Sequence, residues 1–168
     1  MAAHVLFLCT GNAARSVMGG AVLTALRPDL TVTTAGTHVI DGQPMSWRTR
    51  EALESVGYAN PAHRSQQLRT ADRHDADVII ALAAEHVGWM RRVHPEDAAR
   101  TGTLRRLARD LAVDASLPLS ERVAALGLAD LEVEHWEDVD DPAGMEIDTY
   151  KACAADIAGL VTDLASRF

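Results

Sequence analysis

Aromatic side chains are scarce in this chain, only 4% of its 168 residues, so few rings are at hand to stack on a ligand. Cysteine is scarcer still. Cys9 and Cys153 cannot build a disulfide framework, and a reducing, cytoplasmic setting is expected. No apolar run approaches the ~20 residues of a membrane helix, and the N-terminus lacks a signal-peptide pattern, so no membrane association is expected. Positive charge is also wanting. A formal net charge of −8 makes a poor surface for nucleic acid. The paired arginines Arg91-Arg92 and Arg105-Arg106 stand in polar surroundings and read as solvated faces. The seven histidines, at 4, 38, 63, 74, 86, 94 and 135, show no tight ligand spacing and read as structural or exposed, so no metal and no cofactor is expected.

What is there begins at the first residues. Val5 to Leu8 is an unbroken apolar run, too short for a core helix, and reads as a strand buried on both faces. It runs into Cys9 and a small-residue loop, Thr10-Gly11-Asn12-Ala13-Ala14, which ends at Arg15 and Ser16. The spacing of Val17, Met18, Ala21, Val22, Ala25 and Leu26 then starts a helix. Strand, tight loop and helix N-terminus in succession can turn backbone N–H groups onto an anion. A thiol in such a cradle is favoured as thiolate by those N–H groups and by the arginine. The arginine fork matches two oxygens of a tetrahedral oxyanion. A Cys-x5-Arg spacing is common by chance; the buried strand before it and the Ser after it give it meaning.

The rest of the chain reads as strands alternating with helices. Leu30 to Thr34 is a second strand, and Ser46 caps a helix that runs to about Val56 before Gly57. Thr70 to Ala76 makes a short helix, Asp77 to Leu82 a buried strand, and Ala84 to Val93 a helix closed by His94-Pro95. Thr103 to Leu107 is expected as the fourth strand, and Ser120 to Leu126 as a helix that Gly127 ends. Asp148 or Thr149 is expected to cap the last helix, with Ile157, Leu160, Val161 and Leu164 on one face. The pattern predicts an α/β fold: one three-layer domain over 1–168, with a four-stranded parallel sheet, helices on both faces and a phosphate-binding loop after strand 1. Ligands of such sheets bind beyond the carboxyl ends of the strands, where Cys9 stands.

Val-Leu-Phe-Leu-Cys-Thr-Gly-Asn-x-x-Arg-Ser resembles the signature of the low-molecular-weight protein tyrosine phosphatase superfamily, which includes thiol-dependent arsenate reductases. The resemblance continues at Ala35-Gly36-Thr37, His63-Arg64-Ser65-Gln66-Gln67-Leu68, Asp77 to Leu82 and Asp140-Asp141-Pro142. It covers most of the chain apart from about residues 100 to 135. It implies a cysteine-dependent phosphomonoester hydrolase, with a phosphorylated protein or small aryl phosphate as substrate. Cys9 would be the nucleophile, Arg15 the oxyanion clamp and Asp141 the acid for the leaving oxygen, with Asp140 its alternative. Thr10, Gly11, Asn12, Ala13, Ala14 and Ser16 would bind the phosphate. Asn12 would shape the loop and Ser16 would hydrogen-bond the thiolate. The chain departs from the family at Val17, where proline is usual, at Ala14, often cysteine, and at Ala143, often aromatic. Two other readings use the same loop: an arsenate reductase served by an external thiol, and a non-catalytic anion-binding module. An internal thiol relay has only Cys153 to draw on, on the apolar last helix, where core packing is the expected role.

Overall fold

A computed structural model of the protein describes residues 2–168. Four parallel strands, β1 (His4–Cys9), β2 (Thr31–Gly36), β3 (Val78–Ala81) and β4 (Thr101–Thr103), form one sheet in the order β2-β1-β3-β4. Alternation along β1 divides the core. Val5, Phe7 and Cys9 pack with residues of α1 (Arg15–Leu26), α2 (Trp47–Ser55) and the long final helix (Ile147–Ala165). Leu6 and Leu8 pack with Ile79, Leu68, Ala76 and Met90 on the opposite face. That second layer comprises α3 (Thr70–His74) and α4 (Ala84–Val93). A strand covered on both sides needs no polar alternation, which is why β1 is a continuous apolar run.

Because β2 and β3 lie on opposite sides of β1, the chain changes direction of winding at β1's carboxyl end. Such a switch point opens a crevice there. The glycine pair in α1 brings the helix close to the sheet. A Cβ at Gly19 would lie 2.6 Å from the Phe7 ring, and one at Gly20 would lie 2.4 Å from Thr34 Cγ2. The helix propensity lost at each glycine, about 1 kcal/mol, is the cost of that approach.

Several boundaries differ from those read in the sequence. The fourth strand is Thr101–Thr103, and residues Leu104–Asp110 form a helix, α5, that Thr103 caps by accepting the Arg106 N–H at 3.2 Å. The helix over 119–124 is α6, and Gly127 behind it takes φ +64°. The last helix, α7, begins at Ile147 with Glu146 at its N-cap, so Asp148 lies within its first turn. Ile157, Val161 and Leu164 of α7 are buried as expected, while Leu160 is only partly covered. No helix among the described residues is long and apolar enough to cross a membrane.

Candidate active site

Cys9 closes β1 and α1 opens at Arg15, so Thr10–Ala14 must turn the chain within five residues. Asn12 makes the turn possible. It is the one described non-glycine residue with positive φ, at 49°, a region asparagine tolerates better than most side chains. Its fixation is complete: its carbonyl accepts from His63 Nε2 at 2.8 Å and from Ser65 Oγ at 2.9 Å. Its side-chain oxygen accepts the Gln66 N–H at 3.0 Å, and its Nδ2 donates to Ser16 Oγ at 2.9 Å. With that lone pair occupied, the Ser16 hydroxyl is oriented to donate to Cys9 Sγ, 2.9 Å away. The chain Asn12, Ser16, Cys9 thus delivers a hydrogen bond to the sulfur.

Backbone contacts fix the outside of the loop. Thr37 N–H donates to the Cys9 carbonyl and His38 N–H to the Thr10 carbonyl, each at 3.0 Å. Thr49 of α2 donates to the Ala13 carbonyl at 2.9 Å. Gly36 permits the first two contacts, because a Cβ there would lie 2.4 Å from the Thr10 oxygen and 2.9 Å from the Asn12 nitrogen. Ala14 at the N-cap of α1 offers no capping side chain, so the helix's first N–H groups are not claimed by one.

Arg15 is buried, with its head between two anchors. NH1 donates to the Val139 carbonyl at 3.0 Å, and NH2 lies 3.3 Å from Asp141 Oδ2 and 3.9 Å from Glu85 Oε1. The loop carrying Asp141 is itself fastened. Asp138 Oδ1 accepts the Ala84 N–H at the start of α4 (2.7 Å), and the Val139 N–H donates to the Leu82 carbonyl at 2.8 Å. Arg105 Nε donates to the Asp138 carbonyl at 2.9 Å, and Arg106 pairs with buried Glu137. The Arg105-Arg106 pair is therefore a brace for this loop and not the solvated face read from its polar surroundings. Asp141 is half-exposed and accepts the Ala143 N–H at 3.0 Å. The Asp140 side chain makes no ion pair among the described residues, while its carbonyl faces Cys153 Sγ at 3.8 Å. Burial pushes the Cys153 thiol up to about 12.

The structure thus gathers Cys9, Thr10, Asn12, Arg15, Ser16 and Asp141 around one cradle, with Gly11, Ala13 and Ala14 as loop backbone. Two histidines join it that sequence reading left without a role. His63 is held neutral-leaning by burial, against the pull of its bond to Asn12. His86 is almost fully buried on α4, and its Nε2 lies 3.0 Å from Thr10 Oγ1. Burial, and then the Arg15 cation, lower its pKa to about 4. The cue for His63 was its place in the His63–Leu68 stretch. For His86 the sequence held no cue; only the fold brings it, five residues past the end of β3, to the crevice. Among the described residues, no three His, Cys, Asp or Glu side chains group as metal ligands.

A buried cysteine, a buried arginine and a tight loop opening a helix at the switch point make the arrangement of a cysteine-based phosphatase. The chain belongs to the low molecular weight phosphotyrosine protein phosphatase family, whose model matches residues 4–118. It is 27% identical over 165 residues to a protein-arginine-phosphatase of Geobacillus stearothermophilus, covering 98% of this chain and 95% of that one. It is 33% identical over 116 residues to a low molecular weight protein-tyrosine-phosphatase of Streptomyces coelicolor, covering 62% of this chain and 69% of that one. The crystal structure of a low molecular weight protein tyrosine phosphatase from T. tengcongensis superposes with TM-score 0.79 at 28% identity, covering 99% of this chain and 100% of the other.

Proposed function

We propose that the protein hydrolyses phosphorylated protein side chains, phosphotyrosine first among them, through a phosphocysteine at Cys9. The observation that carries this reading is the Asn12–Ser16–Cys9 chain of hydrogen bonds beside a buried Arg15. In the first step the Cys9 thiolate attacks phosphorus. The bond from phosphorus to the phenolic oxygen breaks, and Asp141 gives that oxygen its proton. In the second step Asp141, now a carboxylate, takes a proton from water, which attacks the phosphocysteine and frees inorganic phosphate. Loop N–H groups and the Arg15 fork hold the three remaining oxygens in both steps. The Asp141–Arg15 contact supports the choice of Asp141 over Asp140.

A second reading, phosphoarginine, has an observation of its own. The cleft at Arg15 is rimmed by Glu85, Asp138, Asp140 and Asp141, which suits a cationic guanidinium better than a ring. The protein-arginine-phosphatase among the relatives keeps this substrate in view. An internal-relay arsenate reductase is disfavoured by the high pKa of Cys153.

The test compares wild type with Cys9→Ser on para-nitrophenyl phosphate, a phosphotyrosyl peptide and a phosphoarginyl peptide. Turnover in wild type and none in Cys9→Ser is expected, with the peptide pair choosing between substrates. Substantial activity in pure Cys9→Ser protein removes Cys9 as nucleophile.

A further inference from the structure

The two ends of the anion loop are held unequally. The Asn12–Ala13 half is tied through Asn12's four side-chain and carbonyl contacts and through Thr49. The Thr10–Gly11 half has little packing: a Cβ at Gly11 would meet only the Ala13 methyl, at 3.9 Å. Thr10, next to the nucleophile, is held at its carbonyl by the His38 N–H and at its hydroxyl by His86.

The state of His86 follows from its surroundings. A neutral imidazole carries one N–H, and Nδ1 is buried without a partner among the described residues. A buried bare acceptor costs less than a buried unpaired N–H, so the proton belongs on Nε2. There it donates to Thr10 Oγ1 at 3.0 Å, with Glu85 Oε1 a more distant 3.4 Å away on the exposed side. The helix under it is anchored at its first turn by Asp138.

We infer that His86 is a positioning residue: its Nε2–H clamps the Thr10 hydroxyl and so holds the upstream half of the anion loop in its binding shape. The inference rests on the reading of this loop as the phosphate site. Loop N–H groups bind an oxyanion only when several point at one centre, and a small misplacement of the segment carrying them weakens the whole set. Because burial and Arg15 keep His86 neutral down to about pH 4, the clamp is a fixture and not a switch in the neutral range.

The experiment is a double-mutant cycle on His86 and Thr10, read as kcat and KM for para-nitrophenyl phosphate and as Kd for inorganic phosphate by calorimetry. His86→Ala is expected to weaken phosphate binding and kcat/KM by on the order of tenfold, mainly through KM. Thr10→Val should do the same, and the double variant should be no worse than Thr10→Val alone. His86→Gln, whose amide reaches the place of Nε2, should restore most of the loss. His86→Asn, whose amide reaches only the place of Nδ1, should not. If His86→Ala does not fold, the Gln and Asn variants carry the cycle. The inference is overturned by equal losses from the His86 change in both Thr10 backgrounds, or by phosphate affinity that none of the variants alters. The phosphate Kd reads the clamp even in a protein that turns over none of these esters, so failure of the catalytic reading remains distinguishable.

Discussion

At the scale of single residues, the site separates the loop groups proposed to bind phosphate from those that hold the loop. Asn12 accepts three hydrogen bonds and donates one, and it spends a strained φ to do so. Its neighbour Ser16 passes the last of these bonds to sulfur. These roles were implied by the resemblance of the Cys-to-Ser stretch to the family signature, and spacing alone did not carry them. His86 was not legible, since a lone histidine on a short helix gives no pattern, and only the packed sheet brings it to Thr10. Asp141, the proposed acid, is the residue most open to test. Asp141→Asn should lower turnover of a poor leaving group by roughly 10²–10⁴-fold and of an activated aryl phosphate by less. Asp140→Asn, at a carboxylate with no ion pair among the described residues, should change little. Steady-state kinetics on two esters of different leaving-group pKa decides it, and a reversed pattern shifts the acid by one residue.

At the scale of elements, periodicity identified what it could. The apolar runs of β1 and β3 and the spacing in α1 and α4 were long enough to read. The fourth strand was not: Thr101–Thr103 is three residues, too short for any period to show. Leu104, Leu107, Ala108 and Leu111 behind it follow helical spacing and are buried on that account, and they belong to α5 and its cap. Nor did polar composition reveal that Arg105 and Arg106 brace the loop with Asp141, because their partners Asp138, Asp156 and Glu137 are distant in sequence. One junction between elements makes a sharp prediction. Gly36→Ala inserts a methyl against loop backbone, which cannot rotate away as a side chain can. Loss of phosphate binding is expected, together with about 1–3 kcal/mol of stability. Gly159→Ala on α7 meets nothing within 4 Å and should raise stability by up to about 1 kcal/mol without touching binding. Urea unfolding and phosphate titration of the two variants check the contrast, and a Gly36→Ala protein with normal phosphate affinity would sink it.

At the scale of the whole molecule, the buried histidine beside Thr10 bears on acid stability. Folded His86 titrates near 4, lowered from 6.5 by burial and by Arg15, while Asp141 and Asp138 pull weakly the other way and Glu85 lies beside it. Between those two pH values the unfolded chain takes up a proton at this position and the folded chain does not. Stability present above about pH 6.5 is therefore lost as pH falls toward 4, by roughly 3 kcal/mol for this one group. His63, lowered by its burial, acts in the same direction. Two buried carboxylates add a later loss. Burial raises Asp97 and Glu137, but their arginine partners outweigh it and both end below their usual range, so their contribution persists until more acid conditions. Denaturant unfolding from pH 7.5 to 4 should show a steady decline that begins near pH 6.5. His86→Gln, which cannot charge, should flatten most of that decline while leaving the fall below pH 4 in place. If the wild-type and His86→Gln curves stay parallel from pH 6.5 to 4, then His86 is not the buried neutral group described here.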